Sequence, residues 1–162
     1  MVWTSYPVSK IAGTITAPGD KSCSHRALIL GGLASGVSEI SGLLEGQDVL
    51  NTGVVMAALG AGVAKVAQGR RRVVEVGATG LKTPNSELDF GNSGTGSRLM
   101  MGVIAGHPIT AHLIGDDSLS GRPMARVVDP LQTMGARFEH SGDKTLPMTM
   151  HGRSGLSPLD YS

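Results

Sequence analysis

The sequence predicts an α/β fold assembled by duplication of one unit. Short runs of alternating apolar residues interleave with longer runs of helical period, and the order helix, strand, helix, strand, strand occurs twice. The second helices of the two halves align, VVMAALGAGV against VDPLQTMGARF. Gly60-Ala61 then matches Gly135-Ala136, a period of about 75 residues. The repeats are expected over residues 11–80 and 86–152, approximately. The 162 residues include 24 glycines spread along the chain and only 3% aromatics, which suits short connections around an aliphatic core.

The elements follow in order. SKIAGTITA, residues 9–17, alternates and predicts a strand. Ser22 to Ala34 predicts a helix ending near Gly36, and VSEISGLL, Val37 to Leu44, a strand. Gln47 to Leu59 predicts a second helix with Val49, Leu50, Val54, Met56 and Leu59 on its apolar face, stopped by Gly60 and Gly62. VAKVA and RVVEV read as strands around a QGRR turn. In the second half, GNSGTGSRLMMGVIAG opens on glycines and becomes a helix, and ITAHLIG is a strand. RPMARVVDPLQTMGA predicts one helix with Pro123 in its first turn, where a missing N–H costs little, and Pro130 as a kink or stop. RFEHS and LPMTM read as paired strands around GDK, and SGLSPLDYS as a polar tail. Exposed sheet edges need partners, so the chain is expected to be part of something longer.

Composition excludes several function classes. A net charge of +1 provides no nucleic-acid-scale field. Cys23 is the only cysteine, so no disulfide framework exists and a reducing cytoplasm is expected. The N-terminus lacks a signal-peptide h-region, and no 18-residue apolar run is present, so no membrane association is expected. His107, His112, His140 and His151 lack ligand spacing, so no metal is expected. His25 is expected on a helix surface and Cys23 as a small packed residue.

The chemistry concentrates where helices are predicted to begin. PGDKSCSHR, FGNSGTGSR and GDDSLSGRPMAR each combine glycine, hydroxyl or amide groups and a cation at such a start. Helix N-termini present unpaired N–H groups and partial positive charge, and both favour anions. Lys21 supplies a compact charge, and Arg122 a planar fork suited to carboxylate or phosphate. Ser22, Asn92 and Thr95 add neutral hydrogen-bonding groups, while Ser22 and Asn92 also suit plain helix caps. Meeting at one surface, these starts would hold a small polyanion. GNSGTG is neither a Walker loop nor a dinucleotide fingerprint.

PGDKSCSHRALILGGLASG, LDFGNSGTGSR and RPMARVVDPLQTMGA resemble, in order and spacing, the signatures of the 5-enolpyruvylshikimate-3-phosphate synthase family. GLLEGQDVLNTG and GDDSLSGRPM are most similar to its bacterial glyphosate-tolerant subgroup, which has alanine where this chain has Gly94. The resemblance runs from Ile11 to Gly152 and implies a lobe of repeated βαβαββ units, an inside-out α/β barrel, incomplete here. It implies transfer of the enolpyruvyl group of phosphoenolpyruvate to the 5-hydroxyl of shikimate 3-phosphate with loss of phosphate, through a tetrahedral adduct and without metal or organic cofactor. Lys21 is then expected to touch both substrates, Ser22 and Arg26 to hold shikimate 3-phosphate, and Gly94 and Arg122 to hold phosphoenolpyruvate, with Asn92 and Arg98 beside them. Family members are more than twice this length. The third repeat and the second lobe, with its proton-moving acids, have no counterpart here, so the isolated chain is expected to be inactive. Two rivals remain. The cell-wall transferase acting on UDP-N-acetylglucosamine carries Lys-Asn where this chain has Lys21-Ser22. A non-catalytic anion-binding module is the other.

Overall fold

A computed structural model describes residues 2–77 and 80–160; Ala78, Thr79 and the last two residues of the polar tail lie outside the described residues. The first half holds α1 (Lys21–Leu33), β1 (Val37–Ser41), α2 (Gln47–Ala58), β2 (Gly62–Ala67) and β3 (Arg70–Val74). Its three strands form an antiparallel sheet in the order β1-β3-β2, with Val37 opposite Val74 and Val63 opposite Val73. The second half holds β4 (Leu88–Asp89), α3 (Gly94–Ala105), β5 (Thr110–Ile114), α4 (Asp117–Ser120), α5 (Ala125–Thr133), β6 (Arg137–His140) and β7 (Met148–His151). Its sheet runs β4-β5-β7-β6; β4 lies parallel to β5, with Leu88 opposite Leu113, and the other pairs are antiparallel. The pairing β5-β7-β6 therefore repeats β1-β3-β2.

Three expectations are corrected. No strand forms over residues 9–17: the segment is unpaired, and Ile11 and Ile15 are each 92% exposed. A strand is completed only by a neighbour's backbone, and alternation alone supplies none. The helix caps are Asp20 and Ser93 rather than Ser22 and Asn92. Asp20 accepts from the Cys23 N–H at 2.7 Å and Ser93 from the Gly96 N–H at 3.1 Å. Finally, the single helix expected over 122–136 is interrupted. Proline disfavours helical backbone in the residue before it, so α4 ends ahead of Arg122-Pro123 and α5 starts at Ala125. Pro130 sits inside α5, which runs on to Thr133 without the bond that a Pro130 N–H would make.

The main core joins both halves. Met100, Met101 and Ile104 of α3 pack with Phe90, Leu113, Met148 and Met150, and with Val55, Met56 and Leu59 from the first half. Methionine fills the irregular gaps that so few aromatics leave. A small second cluster, Leu28, Leu43, Val49 and Val73, lies under the first sheet.

Candidate functional site

The starts of α1, α2 and α3 are neighbours, and polar contacts run between them. Lys21 opens α1, and its ammonium pairs with the Asp48 carboxylate in the first turn of α2. One turn on, His25 Nδ1 and Thr52 Oγ1 are 2.8 Å apart, joining α1 to α2 in the interior. Thr52 also faces α3, because a methyl placed on Gly96 would stand 2.8 Å from Thr52 Oγ1 and 2.7 Å from Ser93 Oγ. Only a glycine allows that approach. Ser24 ties the base of α1 to the loop before α2, its Oγ accepting the Leu44 N–H at 2.9 Å.

The second half adds its polar groups at the carboxyl ends of a parallel strand pair, the place where α/β sheets hold ligands. The loops leaving β4 and β5 run side by side, and the Asp116 N–H donates to the Gly91 carbonyl at 2.9 Å. Asn92 Nδ2 donates to both oxygens of Asp116, at 3.1 and 3.0 Å. Arg122 Nη2 donates to Asn92 Oδ1 at 2.8 Å and to Ser118 Oγ at 3.2 Å. Arg98 donates from Nη1 to the Gly94 carbonyl and from Nη2 to the Pro123 carbonyl, both at 3.0 Å. It thereby staples the start of α3 to the segment carrying Arg122. Gly94 is buried beneath the two arginines: a methyl there would lie 2.8 Å from Arg98 Nη1 and 3.2 Å from Arg122 Nη1. Arg98, Pro123, Ala125 and Arg126 line an open cleft of about 520 Å³.

The charges reflect this geometry. The Cys23 N–H bonded to Asp20 holds that carboxyl below the usual range. Asp20 in turn raises the Cys23 thiol, which is exposed rather than packed and is no activated nucleophile. His25 is not on the helix surface. It is fully buried, and burial, then the Lys21 ammonium, lower its basicity. A neutral ring that donates from Nδ1 to Thr52 explains why buried Nε2 has no partner, since a bare acceptor costs less than an orphan N–H. The Leu119 N–H, then Asn92, hold Asp116 below the usual carboxylate range.

Of the residues singled out in the sequence, Asn92, Gly94, Arg98 and Arg122 form one hydrogen-bonded group. Lys21, Ser22 and Arg26 sit exposed on the first turns of α1. The two groups adjoin through α2, where Asp48 meets Lys21 and a methyl on Gly91 would stand 2.5 Å from Asn51 Nδ2. Asp48, Thr52 and Asp116 were missed, for an acid or threonine near a helix start reads from sequence as a routine cap. Among the described residues no three His, Cys, Asp or Glu side chains are grouped to hold a metal ion, and no helix is long and apolar enough to cross a membrane.

Comparison with known proteins bears on all of this. The family model described as EPSP synthase (3-phosphoshikimate 1-carboxyvinyltransferase) matches residues 5–161. A 3-phosphoshikimate 1-carboxyvinyltransferase of Hyphomonas neptunium is 57% identical over 100% of this chain and 37% of its own length. One from Parvibaculum lavamentivorans is 54% identical over 98% of this chain and 35% of its own. An EPSP synthase structure from Acinetobacter baumannii superposes with a TM-score of 0.87 at 38% identity, covering 92% of this chain and 34% of that one. The chain thus spans little more than a third of the curated relatives it matches.

Proposed function

Because the chain belongs to the EPSP synthase family, we propose that it supplies one wall of the site that transfers the enolpyruvyl group of phosphoenolpyruvate to the 5-hydroxyl of shikimate 3-phosphate, releasing phosphate. Residues 11–80 and 86–152, approximately, are two copies of one unit in this reading, and the remainder of a longer enzyme is the partner. In this reading the activity is cytoplasmic and belongs to the aromatic amino acid route that glyphosate blocks. The observation that carries the reading is the contiguity of the polar groups from Lys21 on α1, across the start of α2, to Asn92 and Arg122.

Both substrates carry phosphate and carboxylate groups, and the adduct between them concentrates that charge. Fixed cations act by position: they neutralise the anions and hold the hydroxyl against the enol carbon without rearranging during the reaction. Lys21 stands at the reacting centre between the substrates. Its pairing with Asp48 keeps a side chain with four rotatable bonds near one place until substrate takes over. Ser22 and Arg26, on the same exposed turns, take shikimate 3-phosphate. Arg122 takes phosphoenolpyruvate over Gly94, whose lack of a side chain lets the two arginines close over it. Arg98 has both terminal nitrogens on backbone carbonyls, so it acts as a brace more than as a direct ligand. No metal or organic cofactor enters the scheme.

The test is to replace the matching third of the Hyphomonas neptunium relative with this chain and follow phosphate release. The hybrid should turn over with shikimate 3-phosphate and not with UDP-N-acetylglucosamine. The chain alone should release no phosphate, since water stays in a one-walled site and screens its charges. A folded hybrid that ignores shikimate 3-phosphate would overturn the assignment.

A further inference from the structure

We infer that Asp116 is a positioning residue for the anion-binding arginine, acting on Arg122 through the side-chain amide of Asn92. The inference rests on the reading of Arg122 given above. The chemistry of the three groups fixes the direction of the relay. A carboxylate only accepts and a guanidinium only donates, so an amide between them has one satisfactory orientation. Its NH2 must face Asp116 and its carbonyl must face Arg122. Both contacts have ordinary length, 3.1 and 3.0 Å to the carboxylate and 2.8 Å from the guanidinium. A free Asn amide turns over easily. Here Asp116 presents Arg122 with a fixed acceptor.

The consequence for Arg122 lies in its remaining donors. Nη2 is occupied by Asn92 Oδ1 and Ser118 Oγ, while Nη1 and Nε have no acceptor among the described residues. Nη1 lies over Gly94. The relay therefore anchors one corner of the fork and turns its free edge toward the start of α3. A bidentate donor gains its advantage over lysine only when its plane is held in this way.

Capping alone does not account for Asp116. Its Oδ1 takes the Leu119 N–H at 2.8 Å, a cap on a helix of four residues. Its Oδ2 has no such duty and is 3.0 Å from Asn92. The Asp116 backbone is pinned separately, through its N–H to Gly91, so the two loops stay adjacent whatever the side chain does. The surplus oxygen serves the amide.

The experiment is a double-mutant cycle in the hybrid enzyme, reading kcat and the KM for phosphoenolpyruvate, with the melting temperature of every variant as a fold control. Asp116→Ala should raise that KM about tenfold, the value of one charge-assisted hydrogen bond, and leave the KM for shikimate 3-phosphate within twofold. Asp116→Asn should keep the melting temperature, because its carbonyl can still cap Leu119, yet show most of the rise in phosphoenolpyruvate KM, because its NH2 would face the Asn92 NH2 where Oδ2 now accepts. In an Arg122→Ala background, Asp116→Ala should change the phosphoenolpyruvate KM less than twofold, since the group it positions is gone. Equal penalties in the two backgrounds would overturn the relay and leave Asp116 a cap. So would a loss that falls equally on both substrates, or an Asp116→Asn variant whose phosphoenolpyruvate KM matches that of the parent. If Arg122→Ala itself leaves the phosphoenolpyruvate KM unchanged, the assignment of Arg122 fails, a result separate from any failure of the relay.

Discussion

The two halves share one strand pairing, β1-β3-β2 and β5-β7-β6, yet only the second has a parallel strand ahead of its first helix. Leu88-Asp89 runs beside Leu113-Ile114, and the loops leaving those strands are bonded to each other. In the first half the corresponding stretch, residues 9–17, is unpaired and its apolar side chains are exposed. The start of α1 is nonetheless well anchored, by Ser24 to Leu44, Lys21 to Asp48 and His25 to Thr52. One unit holds its helix start by a backbone ladder together with side chains, the other by side chains without that ladder. In this chain, polar side-chain contacts stand at the start of α1 where α3 also has a ladder.

The largest effect expected from testing this comparison is catalytic. In the hybrid enzyme, Lys21→Met removes the cation held by the first device and Arg122→Ala the one held by the second. Each should lower turnover by about 100- to 1000-fold, the loss of a group that stabilises developing charge, with the fold retained. A folded Lys21→Met enzyme of near-normal turnover in a phosphate-release assay would remove the first half from the mechanism.

Stability comes next. Leu88 is buried beside β5, and Leu88→Ala should cost about 2–5 kcal/mol in denaturant unfolding. Ile15→Ala, in the exposed counterpart segment, should stay within about 0.5 kcal/mol. Comparable losses would mean that residues 9–17 are paired in solution.

A smaller contrast lies within α3. Gly96→Ala pushes a methyl against Ser93 and Thr52, and should destabilise by about 1–3 kcal/mol as overpacking does. Gly102→Ala meets open space and should stabilise by roughly 0.5–1 kcal/mol through helix propensity. Thermal melts of the two variants should therefore move in opposite directions; parallel shifts would contradict the close approach of α2 to α3.

The mildest effect is pH-dependent. Burial holds the His25 value in the folded chain below its unfolded value of about 6.5. Below that pH the unfolded state binds the extra proton, so this contribution to stability is complete above about pH 6.5 and is lost as the pH falls. The melting temperature should drop between about pH 7 and pH 5, and His25→Gln, which does not titrate, should flatten that drop. An identical pH profile in the variant would place the acid-sensitive group elsewhere.

Much of the molecule was legible in its sequence because the signals are local. Helical period located α2 at Gln47–Ala58 to within a residue of expectation, and the glycines at 60 and 135 stop equivalent helices. The three motifs sufficed to suggest the family, since their residue types and order are set by the chemistry of holding anions. Other features depended on partners that no window of sequence contains. Residues 9–17 alternate as well as any strand here, but a ladder requires a second backbone. His25 reads as a surface residue on a helix beginning, and is buried because α2 brings Thr52 against it. Asp48 and Asp116 are ordinary acids near helix starts until the fold sets one against Lys21 and the other against Asn92. Charge and hydrogen-bonding capacity belong to the residue and travel with the sequence; what each group is aimed at is a matter of distance, and distances between remote segments are settled only when the core closes.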